Sequence, residues 1–429
     1  MAESTDLIAL LTRRGVVPAG ELVRALGISR PTLSRLIAKL KGEVVRIGRR
    51  RGARYGAYRH VPGLASQLAV YRVNQVGTVA QVATLHLLAG GWHWLEQTGG
   101  TGDVFEGLPP VLVDMAPQGY LGRRFADNHP ELNLPRRLQD WNDDHRLMAV
   151  AQRGEDCPGD MIVGEESLDR YSAQTREPVT REDYPQLAHA AVTGTAGSSA
   201  GGEQPKFTAW TGSHHVNVKF TLGNGSLADQ RWRDLLVCEL LALEILQAHG
   251  IPAATARVEN VNSQRFLEVE RFDRAGARGR RGVLTAGPLD DSLYGQRDNW
   301  SLLAGRLLMN ELLSPEDARR ILLLEAFGEL IANSDRHFGN LAFFTDGLRR
   351  EPRLELAPAY DMLPMAFAPQ NGIVPDAPAG PVRSRAQLLE VWSEAASLAT
   401  EFWQRVADDE RISPAFRELG ARMMLQIRK

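Results

Sequence analysis

Eight consecutive residues, Asn333-Ser334-Asp335-Arg336-His337-Phe338-Gly339-Asn340, place an Asp and an Asn five positions apart on what reads as a loop. An apolar strand, Leu341 to Phe344, follows it, and Thr345-Asp346-Gly347 turns the chain. Leu354-Glu355-Leu356 then leads to a second acid in Tyr360-Asp361. This is a phosphoryl-transfer pattern. Asp335 can accept the proton of an attacking hydroxyl, while Asn340 and Asp361 offer hard oxygen ligands to a Mg²⁺ bridging ATP phosphates. Upstream, the run from Gly194 to Gly202, which carries Ser198, Ser199, Ala200, Gly201 and Gly202, can bring backbone N–H groups to phosphates. Lys219, on an apolar strand, can neutralise their charge. Each part alone is commonplace: a Ser/Gly loop is usually a linker, and a strand lysine is usually a solvated edge residue. Here they stand in kinase order.

The elements that must position these residues are also legible. Phe207–Trp210 and Val216–Phe220 bracket Thr211-Gly212-Ser213 and read as a hairpin. On its second strand Val216, Val218 and Phe220 share one face, and Asn217 and Lys219 the other. Gln230 to His249 reads as a helix with Leu235, Leu236, Leu240, Leu243 and Leu246 inward, and it offers Glu239 and Glu244 as candidates to orient Lys219. Phe266 to Phe272 is extended. From about 292 the chain is largely helical, and Ser314-Pro315-Glu316 opens a helix running to about Ile331, which delivers the Asp335 loop. Residues 64–190 read as mixed structure, with charged helices around Pro135 to Arg153. They contain no internal repeat and no catalytic constellation.

Charge separates the N-terminus from the rest. Residues 1–60 hold 13 Lys and Arg against 4 Asp and Glu, whereas the whole chain of 429 residues has a net charge of −2. A basic head on an acidic body points to a polyanion met by the head alone. Leu7, Ile8, Leu10 and Leu11 form the stripe of a first helix capped near Ser4 to Asp6. Pro18 opens a second, Ala19 to Leu26, which Gly27 ends. Ser29 caps a third helix in which Leu33, Leu36, Ile37 and Leu40 face inward, leaving Arg30, Thr32, Ser34, Arg35 and Lys39 outside for base edges and phosphates. Val44–Ile47, a basic turn with Arg49, Arg50, Arg51 and Arg54, and a return strand Tyr55–Arg59 read as a wing. Residues 1–62 are therefore expected to be a winged helix-turn-helix that binds double-stranded DNA.

The loop Ser198 to Lys206, the strand Val216 to Phe220, Val269 to Arg274, Ala332 to Asn340 and Leu356 to Asp361 together resemble the HipA family of bacterial serine/threonine kinase toxins. The resemblance covers about residues 64–429, and the helix-turn-helix on the same chain resembles the single-chain, YjjJ-type branch. It implies an α+β chain. The winged head would precede a bilobal, protein-kinase-like fold, with residues 63–275 as the N-lobe and the mainly helical residues 276–429 as the C-lobe. It implies that Lys219 holds the ATP phosphates, that Glu270 and Phe272 offer backbone groups to adenine, and that Asp335 is the base with His337 beside it. Asn340 and Asp361 would bind Mg²⁺, with Tyr360 and the loop residues Ser199, Ala200, Gly201 and Gly202 around the nucleotide. Ser199, with Ser198 as the fallback, falls where the family carries an inhibitory autophosphorylated serine. Asn333 stands where eukaryotic kinases place His, and Met362-Leu363 follow Asp361 in place of Phe-Gly, both as in the HipA pattern. The family substrate is a translation component such as an aminoacyl-tRNA synthetase, and the fused head implies promoter binding, as a homodimer on a two-fold site.

Two other classes remain open on the residues: a transcriptional regulator whose kinase fold only senses nucleotide, and a small-molecule kinase. Pure sensing does not require a base, so Asp335 speaks against the first. Other classes are excluded by composition. Two cysteines, Cys157 and Cys238, cannot staple a secreted scaffold. The most apolar stretch, Val79 to Leu95, is broken by Gln81, His86, Gly90, Gly91 and His93, so no membrane span is expected. Glu3, Ser4 and Asp6 do not open a signal peptide, and a cytoplasmic protein is expected.

Overall fold

Helix punctuation shapes the head. In the computed structural model, which describes residues 2–48, 52–193, 204–370, 373–377 and 384–427, the first helix is α1 (Ala2–Arg14). It begins ahead of the expected Ser4–Asp6 cap, and its buried stripe is Leu7 and Leu11, with Ile8 and Leu10 half-buried. A short strand β1 (Val17–Pro18) precedes α2 (Ala19–Leu26), which ends where Gly27, at φ +64°, donates its N–H to the Val23 carbonyl. The Ser29 hydroxyl accepts from the Thr32 N–H at 3.3 Å and starts α3 (Arg30–Lys39), with Pro31 in its first turn. Strands β2 (Val44–Ile47) and β3 (Arg54–Ala57) pair antiparallel, and β1 adds to the outer side of β3. The second strand of this pair thus starts one residue earlier and ends two residues earlier than Tyr55–Arg59.

The head runs directly into the next domain, because Val61 and Leu64, on either side of Pro62-Gly63, are buried in that domain's core. This core lies beneath a five-stranded antiparallel sheet of order β7-β6-β5-β4-β8. Its strands are β4 (Gln67–Val73), β5 (Val79–Leu87), β6 (Trp92–Gln97), β7 (Thr101–Glu106) and, after an excursion, β8 (Met161–Val163). The excursion holds α4 (Pro110–Met115), the single turns α5 (Gly119–Gly122) and α6 (Phe125–Asn128), and α7 (Asp143–Arg153). Only the last of these fulfils the helices expected over Pro135–Arg153, since Asn142 caps α7 and Pro135–Arg137 lie outside any helix. Ile47 of the head packs with Leu88, Trp94 and Val104 of this sheet, and Ala89 joins the cluster around Leu7 and Leu11.

Helices α8 (Glu165–Ala173) and α9 (Tyr184–Val192) lead to a second, four-stranded antiparallel sheet of order β11-β12-β10-β9. It comprises β9 (Lys206–Trp210), β10 (His215–Phe220), β11 (Ala256–Val261) and β12 (Gln264–Glu270). Alternation on β10 sends Val216, Val218 and Phe220 to a cluster with Tyr184, Phe207 and Phe266, and leaves Lys219 on the opposite face. Helix α10 (Leu227–Ala248) starts three residues before the expected Gln230, because Ser226 caps it through the Asp229 N–H at 3.1 Å. After a small ladder of β13 (Arg274–Ala275) and β14 (Gly279–Arg280), β15 (Val283–Thr285) leads into α11 (Ala286–Leu293), α12 (Trp300–Met309) and α13 (Pro315–Leu330). Strands β16 (Ala342–Phe344) and β17 (Glu355–Leu356) complete a three-stranded sheet with β15. Helices α14 (Leu389–Asp408) and α15 (Pro414–Ile427) close a core built on Trp300, Phe327, Phe402 and Trp403. No helix among the described residues is long and apolar enough to cross a membrane.

One glycine holds the head against the five-stranded sheet. Gly15 has φ +70°, and a Cβ there would sit 2.1 Å from Trp92 Cδ1. Gly15→Ala is expected to lower stability by about 1–3 kcal/mol through this clash and the left-handed backbone. Urea unfolding of the full chain measures it, and an unchanged midpoint would show that head and sheet are not clamped there.

Candidate active site

Lys219 is buried on β10 facing α10, and its Nζ meets three carboxylate oxygens. It donates to Glu239 Oε1 at 2.8 Å and Oε2 at 2.6 Å, and it also contacts Asp361 Oδ1. Of the two glutamates left open by the sequence, Glu239 is the partner. Glu244 lies on the outer side of α10, 3.6 Å from Arg405. Burial works against the Lys219 charge, but Asp361 and Glu239 outweigh it and hold the amine well above its ordinary range. Asp361 is likewise opposed by burial and held low by Lys219 and then Lys206. Glu239, wholly buried, is pushed up by desolvation, so Asp361 carries the firmer negative charge.

The Asp335 loop is tied to Asp361 by Asn333. After α13 the chain passes through Ala332 at φ +59°, a left-handed position with a Cβ to accommodate. The buried Asn333 side chain then accepts the Asp335 N–H at 3.0 Å and donates to the Asp361 carbonyl at 3.2 Å. Asp361 itself is held at φ +53°. One amide thus fixes both acids by accepting from one and donating to the other, and a carboxylate of the same shape could accept but not donate. Asn340 donates to the Asp335 carbonyl at 2.9 Å, which leaves its amide oxygen as the end suited to a cation. Asp335 is half exposed, with His337 Nε2 4.0 Å from its Oδ1. His337 Nδ1 accepts the Gly339 N–H, and the Tyr360 hydroxyl donates to the Gly339 carbonyl at 2.6 Å.

Lys219, Glu270, Phe272, Tyr360 and Asp361 line one cavity of about 330 Å³. The Glu270 N–H is committed to the Thr255 carbonyl at 2.8 Å, so toward a base the backbone of this residue is left to accept a hydrogen bond through its carbonyl. Phe272 packs edge-on to Phe344 and beside Tyr360, each at 5.7 Å between ring centres. The structure adds residues that the sequence pattern does not single out for the site. Lys206 lies directly opposite Lys219 across β9 and β10 and lines the same cavity. From the domain of the five-stranded sheet, Asp114, Asp156 and Pro158 reach the cavity wall. Asp156 pairs with Arg271 at 3.3 Å and Arg274 at 2.9 Å, and those arginines hold it well below the usual carboxylate range despite its burial. Ser198, Ser199, Ala200, Gly201 and Gly202 lie outside the described residues, as do Arg49, Arg50 and Arg51. On the head, Arg30, Ser34, Arg35 and Lys39 are exposed on α3, with Thr32 half-buried, and Arg54 is exposed on β3.

Known proteins resemble this chain in sequence and in fold. Residues 64–172 match the YjjJ-like toxin middle domain, and residues 198–426 match the HipA-like C-terminal domain. Over 448 aligned residues the chain is 37% identical to Toxin YjjJ of Escherichia coli (strain K12), covering 100% of this chain and 98% of that protein. This chain belongs to the YjjJ branch of the HipA family. A chain of the Shewanella oneidensis MR-1 complex of HipA, HipB and operator DNA shares the fold, with TM-score 0.51 and 15% identity over 84% of this chain and 96% of that one. The Helicobacter pylori proinflammatory kinase CtkA aligns with TM-score 0.40 and 12% identity over 53% of this chain and 88% of that one. In this YjjJ-branch chain the five-stranded sheet is thus the middle domain, and the Lys219 and Asp335 constellation lies within the HipA-like domain.

The buried ion pair has a measurable consequence. Lys219→Met leaves both Glu239 and Asp361 without their shared cation and is expected to cost about 3–5 kcal/mol, whereas Lys219→Met with Glu239→Leu recovers only the part of that loss due to Glu239. Urea midpoints of the two variants measure this, and equal losses would show that the pair is not the buried unit described.

Proposed function

We propose that the chain is an ATP- and Mg²⁺-dependent serine/threonine protein kinase of the HipA toxin type. Its substrates would be a protein of the translation machinery and its own phosphate loop. The observation that carries the reading is the Asn333 amide, which joins Asp335 to Asp361 beside the Lys219–Glu239 pair. That arrangement holds a base open to solvent next to a cationic, acid-lined cavity. The donor set fits the ligands. Lys219 and Lys206 suit phosphate oxygens, and Asp361 with the Asn340 amide oxygen suits a hard divalent cation. Bound Mg²⁺ would supply neutralisation of phosphate charge. Asp335 would take the proton of the serine hydroxyl as its oxygen bonds to the terminal phosphorus and ADP leaves. Lys219, pinned by Glu239, would hold the transferred charge in place.

Phosphate on Ser199, or on Ser198, would add about two negative charges to the loop that receives ATP phosphates, turning the enzyme off. We further propose that residues 1–62 act as a winged helix-turn-helix that binds double-stranded DNA upstream of its own gene as a homodimer. The exposed Arg30, Arg35 and Lys39 on α3 support this, as does the excess of basic residues in the head. The domain division proposed is 1–62 for this head, 63–275 for the N-lobe with the middle sheet, and 276–429 for the C-lobe.

Purified full-length protein incubated with Mg-ATP and read by intact mass and peptide mapping tests the kinase. One phosphate on Ser199 or Ser198, absent from Asp335→Asn, is expected. ATP binding without phosphate would favour a nucleotide-sensing regulator, and ATP hydrolysis without self-labelling would favour a small-molecule kinase. For the head, Arg35→Ala with Lys39→Ala is expected to weaken promoter binding at every sequence tested and to lower the slope of affinity against salt by about two. Absence of any wild-type footprint upstream of the gene would contradict autoregulation.

A further inference from the structure

Among the carboxylates in the nucleotide cavity, Asp114 has the least evident reason to be charged. It belongs to α4 of the middle domain, yet it is only 8% exposed and lines the same cavity as Lys219, Tyr360 and Asp361. Its Oδ2 accepts the Thr285 N–H at 2.8 Å and its Oδ1 accepts the Thr285 hydroxyl at 2.5 Å. The charged neighbour it feels is Asp273, of like sign, and burial pushes its carboxyl up to about 6. An ionised group in such a place is costly, and a neutral side chain could fill a purely structural joint.

Thr285 is where this joint meets the site. It is the last residue of β15 and the residue before α11, and its own side chain does not cap that helix. It pairs with Ala342 across β15 and β16, and the next residue, Ala286, donates its N–H to the Leu341 carbonyl at 2.8 Å. Helix α11 packs against the turn Phe338–Asn340. Two hydrogen bonds donated to the middle domain's Asp114 therefore fix the strand and helix against which the Asn340 turn rests. Asn340 is the residue whose amide oxygen suits the cation.

We propose that Asp114 is a positioning residue through which the middle domain sets the metal-binding side of the nucleotide site. The proposal rests on the kinase reading above. Thr285 presents two donors and Asp114 two acceptors. Asn at 114 offers one acceptor, and Val at 285 removes one donor. Either change loosens the same joint without touching Lys219, Lys206 or Asp335.

The test uses the full-length chain and calorimetric titration of ATP with and without Mg²⁺, beside thermal unfolding. Wild type is measured first: no gain in ATP affinity on adding Mg²⁺ would sink the kinase reading itself. Given that gain, Asp114→Asn and Thr285→Val are each expected to weaken Mg-ATP binding about tenfold, while ATP without Mg²⁺ binds nearly as in wild type. The double variant is expected to match either single one, because both break one joint, and Thr285→Ser is expected to restore wild-type binding. Lower melting temperatures with unchanged Mg-ATP affinity would overturn the proposal and leave Asp114 a structural joint. Additive losses in the double variant would also overturn it. If Asp114→Asn does not fold, the Thr285→Val and Thr285→Ser pair decides alone.

Discussion

A single buried ammonium organises this molecule. Lys219 joins the four-stranded sheet that carries it, the long helix that supplies Glu239, and the loop that ends at Asp361. Three segments far apart in sequence converge on one charge that burial would otherwise expel. Each of them must arrive in register, since a one-residue slip of β10 would turn Lys219 to the apolar face occupied by Val218 and Phe220. Asn333 extends the arrangement by one further link, tying the Asp335 loop to the same Asp361 backbone. The left-handed backbones of Ala332 and Asp361 are the local strain that this convergence sustains.

The middle domain shares in this architecture. Its loop at Asp156 braces the arginines beside the cavity, and Asp114 braces the strand below it. On its other side the same domain shares apolar cores with the head, through Trp94, Leu88 and Ala89. The α3 face of the head is thereby carried on a domain that also reaches the cavity beside Lys219. The YjjJ-branch chain is joined through this middle sheet, with Val61 and Leu64 burying the junction that Pro62 and Gly63 mark in the sequence.

Periodicity makes part of this site legible from residues alone. Alternation along Val216 to Phe220 puts Lys219 on a face of its own, and the spacing of Asp335, Asn340 and Asp361 names a chemistry without reference to any fold. The Glu239 contact is not legible, for a physical reason. Helix α10 is buried on nearly every side, with Leu235, Leu236, Val237, Leu240 and Leu241 all inside, so no polar stripe marks which of Glu239 and Glu244 faces the lysine. Lys206 escapes a reading that begins the strand at Phe207. Extending the strand by one residue reveals the cross-strand pair with Lys219. Asn333 and Asp114 act through contacts across 28 and 171 positions, which no local pattern encodes. Helix starts at Ala2 and Leu227 fall three to five residues ahead of expectation, as fraying termini and alternative caps allow.

In the proposed function, Asp361 is the acid that links nucleotide to a divalent cation. Calorimetric titration of ATP into wild type and Asp361→Asn, each with and without Mg²⁺, asks this directly. The expected result is that Mg²⁺ strengthens ATP binding to wild type and has little effect on Asp361→Asn, which still binds ATP alone through Lys219. An equal strengthening by Mg²⁺ in both proteins would contradict it.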